Sequence, residues 1–267
     1  MALRRIKVSN FKSFDKFDLE LGNFNVLIGA NASGKSNFTQ LFRFLRDIKN
    51  HGLDNAISMQ GGTEYLTNMK IGASQELSIE LEFAPDGLFE RRIPVLSKNP
   101  VRMRLHEEAY KFNMAFGRKR VGFDVVEDRL RQKVEFIRLE PKAKKGSPEE
   151  KLGEGEITFS QVSRKLKVKL DASHPLPITE DAVLPSFLAR PKLAPRTLLL
   201  QSPGFFVLSC LAESFFSGLA IYDLTLNRRR RQCQSPEKLN WRKMVPTWQL
   251  FSKISSKRRL AKESCQI

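Results

Sequence analysis

Eight consecutive residues carry the most chemistry in this chain: Gly29-Ala30-Asn31-Ala32-Ser33-Gly34-Lys35-Ser36 fits the pattern G-x-x-x-x-G-K-[ST]. Glycines at that spacing let the backbone curl so that successive N–H groups point inward at a phosphate. A helix opening at the end of the loop adds its positive dipole end. Lys35 is placed to reach β- and γ-phosphates as a point charge, and the Ser36 hydroxyl to coordinate Mg²⁺. The expected cofactors are therefore ATP and Mg²⁺, with Asn37 completing the loop at the start of the helix.

Such a loop needs a strand before it and a helix after it. Asn25 to Ile28 is short and apolar, which predicts the strand. From Asn37, the residues Phe38, Leu41, Phe42, Phe44 and Leu45 recur at helical spacing, which predicts a helix to about Asn50. Upstream, residues 3–9 alternate as a strand, a turn follows at Asn10 to Ser13, and Phe17 to Leu21 is a second strand. Residues 51–72 form a glycine-punctuated stretch. Alternation predicts further strands at Leu77 to Phe83, Tyr110 to Phe116, Phe123 to Val126, Val134 to Leu139, Ile157 to Gln161 and Leu166 to Leu170. Lys142 to Gly155 has the composition of a loop. Val207 to Phe216 is expected to be a helix leading into a strand at Leu219 to Asp223. Short polar turns favour hairpins, so the expected fold is α/β: a P-loop unit (1–50) joined to a mostly antiparallel β-rich lobe (75–224).

Asn31 and Asn37, with the upstream run Ile6-Lys7-Val8-Ser9-Asn10-Phe11-Lys12-Ser13-Phe14, narrow the family. Gly-Ala-Asn-Ala-Ser-Gly-Lys-Ser-Asn and the Asn-Phe-Lys-Ser-Phe turn resemble the ABC-type ATPase heads of the RecF, RecN and SMC group, specifically over residues 2–50. The resemblance implies an AAA-type P-loop ATPase in which two heads, as a homodimer, sandwich two nucleotides and act as an ATP-driven switch on DNA in repair, recombination or defence. It places Lys12 near the nucleotide, where it meets phosphate or adenine or simply faces solvent. Gln60, beside Gly61-Gly62, has two readings, a metal-sensing glutamine or a residue of a capped turn.

Hydrolysis needs more than a P-loop: four apolar residues ending in Asp-Glu, the Asp assisting Mg²⁺ and the Glu activating water. No such run occurs. Ile221-Tyr222-Asp223-Leu224 has one acid, and Val125-Val126-Glu127-Asp128 carries its acids in reverse order. The signature motif that the resemblance implies is not visible either. No catalytic residue is assigned, and a non-hydrolysing nucleotide-binding module is the rival expectation.

The net charge is +17, but it is unevenly spread. Residues 225–267 hold 12 Lys/Arg against 2 acids, and the rest of the chain 34 against 27. Most of the basicity thus lies in a tail with four consecutive arginines, both tryptophans and two of the three cysteines. One expectation is a disordered basic tail that binds nucleic acid. Another is translation out of frame. Combining the third base of each codon with the first two of the next, Met244-Val245 forces glycine, Asn240-Trp241 leucine and Trp248-Gln249 alanine. Permissible codons then turn Glu237 to Ile254 into K-A-E-L-E-E-D-G-S-N-L-A-I-V-L-K-N. That is similar to the segment following a Tyr-Asp strand in RecF-like ATPases, so the chain is expected to be a truncated head. No apolar run is long enough to cross a membrane and no secretory signal is visible, so the expected compartment is the cytoplasm. The widely spaced cysteines suggest neither a disulfide framework nor a zinc site.

Overall fold

The computed structural model describes residues 2–85, 89–93, 101–117, 122–138, 150–162, 164–173, 178, 180–184, 192–202, 205–209 and 211–222. Two compact units divide between Ile221 and Tyr222. The first holds every strand and helix among the described residues.

The chain is an α/β fold built on one large antiparallel sheet. Its strands are β1 (Ala2–Phe11), β2 (Phe14–Glu20), β3 (Leu77–Ala84), β4 (Phe89–Ile93), β5 (Val101–Phe116), β6 (Phe123–Arg138), β7 (Glu150–Val162) and β8 (Lys165–Ala172). They lie in the order β2-β1-β3-β5-β6-β7-β8, with β4 paired to the first part of β5. Alternation drives this arrangement: Leu77, Ile79, Leu81 and Phe83 of β3 are all buried, and the residues between them are not. In β5 the buried set is Val101, Met103 and Leu105, then Tyr110, Phe112 and Met114. The phase flips where a bulge interrupts the register with β6, between Leu105 and Glu107.

The helix following the P-loop, α1 (Lys35–His51), covers one face of the sheet. Leu41, Phe44, Leu45 and Ile48, at i, i+3, i+4 and i+7, are fully buried. Phe44 meets Phe11 of β1 at 6.0 Å between ring centroids. Three short helices follow or lie further on: α2 (Leu53–Met59), α3 (Thr63–Leu66) and α4 (Glu180–Val183). The last described segment holds α5 (Phe205–Leu208) and α6 (Leu211–Gly218). Aromatic contacts run from Phe14 through Phe17, Phe38, Phe42 and Phe215 to Phe216 and Tyr110, tying α1 and α6 to the sheet.

One buried carboxylate fastens the α5–α6 segment and a second holds the turn at Leu199 before it. Glu108 of β5 accepts hydrogen bonds from the Ser209 hydroxyl, the Ala212 N–H (2.7 Å) and Gln132 Nε2 (2.8 Å). Asp128 of β6 accepts from Tyr110 Oη (2.9 Å) and the Leu199 N–H (2.6 Å). From α1, Lys49 pairs with Glu213 at 2.5 Å.

The structure departs from the sequence expectations in several places. Phe123 to Val126 and Val134 to Arg138 belong to one strand, β6, whose middle carries the buried polar residues Asp128 and Gln132. Residues 53–66 form α2 and α3 within the glycine-punctuated stretch. Residues 150–155 are the start of β7 rather than loop, and 142–149 lie outside the described residues. Val207 to Phe216 is broken into the two helices α5 and α6. No strand forms at 219–222, and Asp223, Leu224 and the tail 225–267 lie outside the described residues. The strand expected at Asn25 to Ile28 is absent: the segment is irregular and pairs with nothing in the sheet.

Candidate nucleotide site

The loop is shaped by two left-handed residues, Ala32 (φ 64°) and Gly34 (φ 96°). At Gly34 a side chain is disfavoured in two ways. The backbone conformation disfavours it, and a Cβ would sit 3.3 Å from the Phe14 ring and 3.4 Å from Ser13 Oγ. At Gly29 a Cβ would come within 2.8 Å of Ser33 Oγ. Gly34 is thus favoured by its backbone conformation, whereas at Gly29 the close neighbour is the exposed Ser33 hydroxyl, which can turn aside.

Helix α1 starts at Lys35 with no side-chain cap and no acid in its first turn. The first N–H groups of a helix have no partner within the helix, and here no side chain supplies one. The Lys35 ammonium folds back over the loop, donating to the carbonyl oxygens of Gly29 and Ala30 (both 2.6 Å) and to Ser33 Oγ (3.2 Å). Asn37 Nδ2 donates to Ser13 Oγ at 2.6 Å, stitching the helix start to the β1–β2 turn. Asn31 and Ser36 are exposed at the loop surface, while Lys35 and Asn37 are half-buried.

That turn has its own anchor. Asn10 is buried with φ 55°, and its amide donates to the carbonyls of Gly72 (2.9 Å) and Gln75 (2.7 Å). Its carbonyl oxygen accepts the Asn68 N–H at 3.0 Å. Lys12 is left-handed as well (φ 48°); its N–H donates to Leu66 O at 2.9 Å and its ammonium to Tyr65 O at 3.4 Å. Partial burial lowers the Lys12 pKa from its ordinary value. Together these contacts hold the 65–70 loop opposite the start of α1. Between them lies a cleft of about 810 Å³ lined by Lys12, Ser13, Asn37, Tyr65, Asn68 and Met69 among others. Lys12 and Asn37 were expected from sequence. Asn10 and the 65–70 loop were not given a role, although Asn10 sits inside the run that carries the family resemblance.

Gln60 is settled by geometry as a turn residue. It ends α2, the Gly61 N–H donates to Ser58 O and the Gly62 N–H to Ile57 O (both 3.0 Å), and Gly61 is left-handed. This is the Schellman pattern of helix termination. The reversed acid pair is structural too. Glu127 pairs with Lys111 (2.7 Å) and Arg129 (3.2 Å), and Asp128 is the buried carboxylate described above. Burial pushes the Asp128 carboxyl up to about 7, against the hydrogen bonds from Leu199 and Tyr110 that favour its ionised form.

Residues 1–175 match the family described as the AAA ATPase domain. The chain belongs to that family. This AAA ATPase domain is an ATP-binding P-loop domain, and its loop fits the nucleotide: an uncapped helix start, a lysine held by nothing stronger than its own loop, and a left-handed Gly34. A stretch of 47 residues is 43% identical to Endonuclease GajA of Bacillus cereus (strain VD045). That match covers 18% of this chain and 8% of the endonuclease, so the relation is partial and distant. Among the described residues no helix is long and apolar enough to cross a membrane. No group of three or more His, Cys, Asp or Glu side chains there could hold a metal ion.

Proposed function

We propose that residues 29–37 bind the phosphates of ATP, as part of a head resembling those of the RecF, RecN and SMC group. The observation that carries this is the uncapped start of α1 facing a loop whose lysine is held by the Gly29 and Ala30 carbonyls and the Ser33 hydroxyl, all within the loop itself. A phosphate offers that ammonium charged oxygens in place of neutral ones, adding a charge–charge attraction that a carbonyl lacks. The N–H groups of residues 30–36 line the loop, Lys35 contacts the β- and γ-phosphates, and Asn31 and Asn37 border them. Ser36, exposed beside them, would hold Mg²⁺, which would neutralise phosphate charge there. The cleft beside Ser13 and Asn37 is wide enough for a nucleoside, with Lys12 and Tyr65 on its walls.

In this reading the chain binds ATP without the acids that hydrolysis needs. Relatives with a complete head would close as dimers around two nucleotides on DNA, and hydrolysis would reopen them. Residues 225–267 are read out of frame under the same proposal, so their +10 charge says nothing about a DNA partner. A second reading, a nucleotide-binding module that never hydrolyses, is favoured by the structural roles of Glu127 and Asp128. Equilibrium ATP binding to wild type and Lys35→Ala tests the site. The variant should bind at least about tenfold more weakly, or ~1.4 kcal/mol; equal affinity would remove the basis for the assignment. Single-turnover phosphate release should be absent from this chain under both readings; the first predicts it in a chain continued past Asp223 in the alternative frame, and the second predicts none there either.

A further inference from the structure

The face of the sheet turned away from α1 and α6 changes sign from one side to the other. On β1 to β3, three cations (Arg5, Lys7 and Lys16) meet four acids (Asp18, Glu20, Glu80 and Glu82), a net of −1. On β5 to β8, cation stands beside cation. One cross-strand row runs Lys111–Arg129–Ser160–Lys167, and the next runs Ala109–Arg131–Thr158–Lys169. Each row sets a hydroxyl between an arginine and a lysine, and the two rows lie two residues apart, about 6.8 Å along the strands. Lys165 and Lys133 continue the pattern at either end, making seven cations. Four acids, Glu107, Glu127, Glu156 and Asp171, share this part of the face, so its net is +3. All four are engaged in ion pairs with Lys111, Arg129, Arg131, Lys133 or Lys169. Lys165 and Lys167 are exposed and have no acid beside them among the described residues. Like charges opposite one another in a sheet are destabilising. Lysines on an edge strand guard it against pairing, which accounts for β8. It does not account for Arg129, Arg131 and Lys133, two strands in from that edge.

We propose that this β6–β8 face is a docking surface for the phosphate backbone of a nucleic-acid duplex, bound without reading its bases. Repeated cation–hydroxyl–cation rows suit a polymer that carries a phosphate on every unit. Arginine supplies paired N–H donors, lysine a point charge and the hydroxyl a further donor. The duplex form is selected by what the face lacks. Tyr110, Phe112 and Phe159, the aromatic residues nearest the two rows, are buried in the opposite phase of their strands. No ring is therefore available there to stack an unpaired base. A duplex keeps its bases inside and presents phosphate to a flat charged face. The next row, Lys133–Glu156–Asp171, bounds the footprint, because its two acids repel phosphate. This surface goes beyond the nucleotide reading, and it uses neither the phosphate loop nor residues 225–267.

Fluorescence anisotropy of a duplex DNA of arbitrary sequence, titrated with the full chain in the absence of nucleotide, tests this. Lys167→Glu and Lys16→Glu change the net charge equally, at exposed positions on opposite halves of the same face. At about 50 mM salt, Lys167→Glu should weaken binding at least tenfold, while Lys16→Glu stays within about twofold of wild type. Lys165→Gln/Lys167→Gln, which introduces no new charge at this solvent-facing edge, should lower the salt slope by about 2. Amide exchange in β7 and β8 should match wild type in all three. Four results would overturn the proposal. Equal losses in Lys167→Glu and Lys16→Glu would reduce the effect to net charge. No loss in either would place binding elsewhere, as in the basic tail. A Lys167→Glu loss as large on single-stranded DNA would remove the duplex, and poly-glutamate competing as well as DNA at equal charge would remove the nucleic acid. Lys35→Ala should leave duplex binding unchanged, so a failure of the nucleotide reading is told apart from a failure here.

Discussion

The sheet lobe and the P-loop segment follow opposite rules within one chain. In the lobe, polar side chains taken out of water are paired save for Asn113 Oδ1: Glu108 accepts three hydrogen bonds, Asp128 two, and Asn10 makes three. Between Asn23 and Gly34, by contrast, apolar side chains face solvent and backbone groups go without backbone partners, save the Ser33 N–H donating to Ala30 O and the Gly34 carbonyl accepting from the Phe38 N–H. The lobe spends its chemistry on its own stability. The loop keeps its donors and its lysine available for something outside the chain.

That contrast is sharpest in truncation mutants. Phe44→Ala empties a fully buried site between α1 and β1 and should cost about 3–5 kcal/mol in chemical denaturation. Ile28→Ser, at a position 90% exposed, should change stability by no more than about 0.5 kcal/mol. Equal costs at the two positions would mean that the P-loop segment is packed after all.

Next in size is Glu108→Ala, which removes the acceptor of the Ser209 hydroxyl and leaves the Ala212 N–H to Ser209 Oγ and Gln132 Nε2 to Leu208 O. A loss of about 2–3 kcal/mol is expected, with exchange protection falling first in α6.

A pH effect should be confined to the lobe. Asp128 titrates near 7 when folded and near 3.8 when unfolded. Between those values the folded chain binds more protons, so this residue makes stability fall as pH rises from about 4 to about 7, then level off. Asp128→Asn should flatten that slope. A slope unchanged by the substitution would assign the effect to another group.

The elements that the sequence made legible are those where one rule operates alone. Strict alternation identified β3, and i, i+3, i+4, i+7 spacing identified α1. β5 and β6 were read as fragments because a bulge at Leu105 to Glu107 shifts the alternation and because Asp128 and Gln132 put polar residues in the inward phase. α2 and α3, at seven and four residues, are too short for a helical period to show. Asn25 to Ile28 has a strand's composition, but pairing belongs to two strands, and no partner lies among the described residues. In the site, spacing exposed the loop from Gly29 to Asn37. Asn10 and the 65–70 loop stayed hidden because their contacts join residues about 60 positions apart.

The account rests on phosphate replacing the Gly29 and Ala30 carbonyls as the partner of Lys35. Amide exchange measured with and without Mg-ATP tests that most directly. Protection should rise at residues 30–37 and in the 65–70 loop, with β7 and β8 unchanged. Unchanged exchange at 30–37 under saturating nucleotide would contradict it.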